Sequence, residues 1–191
     1  FVFNCRNALK FINGNQYKLA WEENFNNALD LNFWNIEIRD AGWVNNEMQA
    51  YTSSSSNLFI KDNKLFIRAL KENYNNAKYT SARITTQKKV NWMYGYFEIR
   101  AKFDQMQGTW PAIWLLSESI DKEGWPECGE IDIMEHINTE DKVYGSLHSE
   151  KYNHMKGNNL GGNYTIGNAL DSFNVYGLEW NKDVINWYVN D

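Results

Sequence analysis

Residues 128–138 read CGEIDIMEHIN, and whether this stretch is strand or helix decides the fold. Glu130 and Asp132 are two apart, as are Ile131 and Ile133, so an extended chain puts both acids on one face and both isoleucines on the other. A helix is the competing reading, with Ile133, Met134 and Ile137 as an apolar stripe and the acids in solvent. Pro126 and Gly129 just upstream, in surroundings that read as β, favour the strand. Glu135 then falls out of step and would face the core, where an ionised, unpaired carboxylate is costly. One extra residue at Met134, a β-bulge, restores the alternation and returns Glu135 to the face of Glu130 and Asp132.

Outward from this stretch the chain keeps a period of two. In YGYFEIRAKF (94–103), Gly95, Phe97, Ile99, Ala101 and Phe103 share one face, and Tyr96, Glu98, Arg100 and Lys102 share the other. NLFIKDNKLFIRAL (57–70) reads as two strands turning at Asp62-Asn63, a favoured two-residue hairpin loop. Further strands are expected over 80–87, 109–116, 143–148, 173–180 and 184–189, and the Gly/Asn-rich run 157–163 is expected to be a loop. Nothing comparably periodic at 3.6 is present, and no repeat or linker is found. Short strands without helices to cover them imply two sheets face to face, a sandwich or jelly roll.

With 191 residues the chain fits one domain large enough for a substantial core. The longest apolar run, 112–116, is five residues, against about 20 needed to cross a bilayer, so no membrane partner is expected. A net charge of −5 and the lack of a basic run argue against a nucleic-acid partner. Two cysteines, Cys5 and Cys128, define no disulfide framework and fit no metal-binding spacing. Residues 1–18 read as an N-terminal extension or signal remnant, and secretion is the expected localisation. Asn163-Tyr164-Thr165 is a glycosylation sequon, informative only in a secreted eukaryotic protein. Asn190-Asp191 resembles the start of a hairpin turn, so the domain, 1–191, is expected to be incomplete at its C-terminus.

Carboxylates gathered on one face repel one another unless function needs them together. Glycoside hydrolysis needs such a pair: in retaining enzymes two carboxyls about 5–5.5 Å apart act as nucleophile and acid/base. Glu130 and Glu135 would have Cα atoms roughly 13 Å apart along a bulged strand, a gap two inward-leaning side chains can close. Asp132 between them can hydrogen-bond either, and the set should titrate as a unit. Glu130, Asp132, Glu135 and His136 could also gather a hard cation, but they match no known metal-loop spacing. Trp110, Trp114 and Trp125 neighbour the acids in sequence, and flat rings suit the C–H faces of pyranoses. Trp114, inside apolar AIWLL, is expected in the core instead, and His148 ends the strand VYGSLH.

GEIDIMEH resembles the Glu-x-Asp-x-x-Glu signature of glycoside hydrolase family 16, in the form with the extra residue carried by laminarinases (endo-1,3-β-glucanases). WVNNEMQAYT, YTSARITTQ, YGYFEIRAK, GTWPAIWLL, VYGSLH and YGLEWNKDVINWYVND resemble laminarinase-like segments in the same order, so the likeness runs over about 19–191. The resemblance implies an all-β jelly-roll β-sandwich of the concanavalin A-like kind, with two antiparallel sheets and a concave substrate cleft. It implies Glu130 as nucleophile, Glu135 as acid/base and Asp132 as assisting carboxylate, with Asn46, Arg83, Trp110, Trp125, His136 and His148 lining sugar subsites. A structural calcium common in the family would use a Glu where WEENF has Asn24, so neither metal nor other cofactor is expected.

The expected activity is that of a secreted, monomeric, retaining endo-glycosidase acting on internal β-1,3, or mixed β-1,3-1,4, bonds of a β-glucan such as laminarin. The alternatives are a non-catalytic β-glucan recognition module on the same scaffold, and an agarase or carrageenase of the same family.

Overall fold

A computed structural model describes residues 9–190, so Cys5 and the first eight residues of the expected extension lie outside the described residues. The strands in chain order begin with β1 (Leu9–Ile12), β2 (Asn15–Lys18), β3 (Asn35–Ile36), β4 (Gln49–Tyr51), β5 (Leu58–Lys61) and β6 (Lys64–Ile67). They continue with β7 (Leu70–Tyr74), β8 (Ala77–Ser81), β9 (Ile84–Thr85), β10 (Gly95–Ala101) and β11 (Ala112–Leu116). After the short helix α1 (Ile120–Glu123) come β12 (Glu130–Glu135), β13 (Lys142–His148), β14 (Leu160–Thr165), β15 (Asn174–Trp180) and β16 (Ile185–Val189). The chain divides into two compact units, one holding 18–91 and the other 9–17 with 92–190 among the described residues.

In the first unit the expected turn chemistry holds. Asp62 and Asn63, with φ of 50° and 52°, join β5 to β6, both central residues taking the positive φ that a type I′ turn requires. Asn57 is fully buried and ties this hairpin to its neighbours, its amide donating to the Arg68 carbonyl at 3.0 Å and the Thr80 hydroxyl at 2.9 Å. The expectation of purely antiparallel sheets fails at β4, which runs parallel to β8, Gln49 opposite Tyr79 and Tyr51 opposite Ser81. The reason is the connection: after β4 the chain makes the β5–β6 hairpin and β7 before β8 arrives, and β8 pairs β7 on its other side. The strand expected over 80–87 is broken at Ala82 and Arg83 into the end of β8 and β9.

The second unit is a sandwich in its own right. Sheet β11-β12-β13-β14 faces sheet β10-β15-β16, with Ile131, Ile133, Met134, Val143, Leu170, Tyr176 and Leu178 buried between them. Burying each such side chain contributes about 1.5–3 kcal/mol, the main drive for closing the two layers. Phe97, Ile99, Ala101 and Phe103, read from the sequence as one face of β10, all pack against this core. The run 157–163 is not wholly a loop as expected: its second half is the edge strand β14, whose Leu160 to Thr165 pair with Leu147 to Lys142 of β13. Glycine is enforced there by space, because a Cβ on Gly161 would lie 2.1 Å from the Gly145 carbonyl oxygen. Such closeness marks two backbones pressed together, which is why a glycine-rich segment can still be a strand.

The β1–β2 hairpin supplies Asn13, Asn15 and Tyr17 to Glu179, a buried carboxylate on β15. Asn186 and Tyr188 of β16 donate to the same group, at 3.1 and 2.9 Å. These donors, Tyr17 foremost, hold the Glu179 carboxyl down at about 2.

Candidate active site

A bulge is present on both edges of β12, and on the β11 edge it lies one residue before the Met134 expected from the sequence. Against β13, Asp132 faces Ser146 and Glu135 faces Tyr144, so three steps along β12 match two along β13. Against β11, Asp132 faces Trp114 and Met134 faces Ile113, which makes Ile133 the extra residue on that side. Ile133 and Met134 are consecutive yet both buried, as only a broken alternation permits.

Directly opposed residues share a sheet face, so the registers identify the neighbours of each acid. Glu130 is opposite His148; Asp132 is opposite Ser146, which is opposite Gly161; Glu135 is opposite Tyr144, which is opposite the exposed Asn163. Contacts agree with this placement. The His148 Nε2 lies 3.3 Å from Asp132 Oδ2 and 4.0 Å from Glu130 Oε1, and the Ser146 side chain hydrogen-bonds Glu135. All three acids therefore look into the same space. Trp114 joins them: Ile113 and Leu115 take the core side of β11, and Trp114 stands opposite Asp132. The sequence placed Trp114 in the core because its neighbours are apolar; strand alternation decides otherwise.

Burial dominates the electrostatics. It drives the Asp132 carboxyl up to about 9, with the nearby charges of Glu130 and Glu135 adding to the effect. Burial also raises Glu135, opposed by hydrogen bonds from Trp110 and Ser146 and by His154. Loss of water around the group is what carries that rise. Burial lowers His148 too, so its contact with Asp132 at neutral pH is between two neutral groups rather than an ion pair.

Two indoles flank the acids. Trp110 is half exposed and donates its Nε1–H to Glu135 Oε1 at 2.8 Å. Trp125 packs beside His148 and His154, ring centroids 5.8 and 4.9 Å away. His154, in a 3-10 turn over His154–Lys156, has no signature in the sequence that would single it out. Ser146 did have one, being two residues before His148 on a strand and hence on the same face.

One expected subsite residue is overturned. His136 is fully buried, its ring tilted against Phe103 with centroids 4.8 Å apart and Nε2 at 2.8 Å from the Glu140 carbonyl oxygen, so no sugar can reach it. Once the bulge has turned Glu135 outward, the next residue must turn inward. Asn46 and Arg83 belong to the first unit: Asn46 is exposed in the turn before β4, with φ of 53°, and the Arg83 guanidinium lies over the Trp43 ring at 4.9 Å.

Among the described residues one group of acids and histidines could hold a metal, Glu130, Asp132 and His148, whose ligand atoms lie within 4.8 Å of one another. The Asp132 carboxyl keeps its proton beyond neutral pH, which disfavours a cation there. At the position the resemblance gives to a calcium-binding Glu, Asn24 is exposed, and the preceding Glu23 is engaged by the Phe25 amide at 2.8 Å and the Trp34 indole at 3.3 Å.

Residues 40–191 match the family described as glycosyl hydrolases family 16. The chain belongs to family 16. Its fold is the all-β jelly roll of that family. The laminarinase of Rhodothermus marinus superposes with a TM-score of 0.86 at 38% identity, over 92% of this chain and 72% of that one. Among curated family relatives, the beta-glucanase of Rhodothermus marinus is 39% identical over 92% of this chain and 63% of its own length. The glucan endo-1,3-beta-glucosidase of Cryptopygus antarcticus is 36% identical over 91% of this chain and 66% of its own length. The chain thus spans about two thirds of the length of these two relatives.

Proposed function

We propose that this family 16 chain is the site-bearing part of a retaining endo-glycosidase that hydrolyses internal β-1,3 bonds of a β-glucan. The observation that carries this reading is the bulge between Asp132 and Glu135, which sets Glu135 on the face of Glu130 and Asp132 in both registers. Glu130 attacks the anomeric carbon and forms a glycosyl ester while Glu135, whose burial raises its carboxyl and so favours the protonated form, protonates the departing oxygen. Glu135 then takes a proton from water as that water displaces Glu130. Asp132, itself neutral at pH 7, removes one negative charge from the cluster beside Glu130. Trp110, Trp125, His148, Asn46 and Arg83 are the proposed sugar contacts, and two carboxyls with water complete the reaction without a cofactor. Mixed β-1,3-1,4 cleavage, secretion and a monomeric state belong to the same proposal.

Relatives named for hydrolysis of β-glucan support it. The retained trio of acids speaks against a recognition module, since binding alone gives no return for their mutual repulsion. The test is release of reducing ends from laminarin, with lichenan and agarose in parallel. Glu130→Gln should abolish turnover while leaving oligosaccharide binding measurable; undiminished hydrolysis by that variant refutes the assignment.

A further inference from the structure

The bulge leaves a question that the acids themselves do not answer: what keeps an irregular backbone in one form. A bulge interrupts the ladder, and interior backbone groups that lose their partners must find others. The Asp132 carbonyl oxygen, at the last paired residue before the irregularity, accepts a hydrogen bond at 2.8 Å from the Trp187 Nε1–H. That indole comes from β16, in the opposite sheet; Trp187 stands opposite the buried Leu178 and packs against the core.

The strand facing the bulge makes room for it. Gly145 lies between Tyr144 and Ser146, directly across from the extra residue. A Cβ on Gly145 would lie 2.4 Å from Trp187 Cδ1 and 2.5 Å from its Nε1, so the edge of the indole occupies the place of a side chain. Gly145 does not have a positive φ. Space for the ring, not backbone conformation, is what requires glycine here.

We propose that Trp187 is a positioning residue for the acid face: its N–H, reaching across the sandwich through the gap at Gly145, fixes the backbone in the bulged form that turns Glu135 toward Glu130. No part of Trp187 is needed at the substrate. It acts by choosing between two registers that differ by one residue, and the wrong register would send Glu135 into the core.

The inference rests on the hydrolase reading for its kinetic arm, and a second arm is independent of activity. Trp187→Phe keeps a ring in the core and removes the donor. On laminarin its kcat should fall about 10- to 100-fold with KM changed less than about twofold, the mark of a misplaced catalytic group rather than lost binding. In protein labelled with carbon-13, the Glu135 carboxyl resonance should titrate at a displaced midpoint. Gly145→Ala, which pushes the ring off the carbonyl while leaving β16 intact, should move both readouts in the same direction and decides the matter if W187F does not fold. Val189→Ala, a core truncation on the same strand, should lower Tm with kcat and the Glu135 midpoint unchanged. If wild type releases no reducing ends, the hydrolase reading fails and the carboxyl titration alone judges Trp187. Wild-type kcat together with a wild-type Glu135 midpoint in folded W187F or G145A overturns the proposal.

Discussion

Replacing Glu179 by Gln tests how a buried carboxylate ringed by neutral donors holds the N-terminal hairpin. Oε1 accepts from Asn15 at 2.9 Å and Tyr17 at 2.7 Å, and Oε2 from Asn13 at 3.3 Å, Asn186 at 3.1 Å and Tyr188 at 2.9 Å. An amide keeps one acceptor oxygen and turns the other position into a donor; a tyrosine hydroxyl can turn to accept from it, but at least one asparagine amide faces another donor whichever way it is placed, and every remaining bond loses its charged acceptor. At about 1–2 kcal/mol for the stranded amide and about 1–2 kcal/mol for the charged acceptor lost to the remaining bonds, E179Q should lose about 2–4 kcal/mol. For a chain of this size that is about 4–16 °C in Tm at pH 6. The loss must also depend on pH with a fixed sign. The folded carboxyl sits at about 2 against an ordinary 4.5, so its stabilisation is fully present above 4.5 and disappears as pH falls toward 2. Thermal melts of wild type and E179Q followed by circular dichroism at pH 6, 4, 3 and 2.5 should therefore converge at the acid end. A gap that stays constant down to pH 2.5, or one below about 2 °C at pH 6, refutes the reasoning.

Asp132 should behave in the opposite sense. Its folded carboxyl is raised from 3.8 to about 9, so wild type loses stability as pH rises between those values and no further above them. Asp132→Asn abolishes that slope, and its Tm advantage should grow from pH 4 to pH 9; a parallel pair of curves contradicts the assignment. Trp110→Phe removes a donor that favours ionised Glu135, so the basic limb of kcat/KM against pH should move upward, and a downward move rules out that role. His136→Ala should cost about 2–4 kcal/mol in stability through the cavity it leaves, with KM for laminarin unchanged. A raised KM at unchanged stability would restore His136 to the sugar site.

The acids were legible in the sequence because their irregularity was local: Glu135 out of phase with Glu130 and Asp132 admits one cheap repair, and the registers contain it. Strand β10 and the Asp62-Asn63 hairpin were legible for the same reason, their signals lying within a few residues. What escaped depended on partners far along the chain. Trp114 was misplaced by composition although its alternation with Ile113 and Leu115 was available, and His136 followed from carrying a motif one residue past the turn of the bulge. The parallel β4–β8 pair, the Trp187 contact with Asp132 and the β1–β2 hairpin donors to Glu179 join residues 30 to 166 positions apart, which no local pattern encodes.

The row of side chains leading away from Asp132 diminishes from a carboxyl at 132 to a hydroxyl at 146 to a single hydrogen at 161, and the β13 backbone bars any larger substituent at the last position. Under the proposed activity, a polysaccharide laid along this row meets no side chain at its Gly161 end. That clearance follows from a hydrogen atom that geometry forbids the chain to replace.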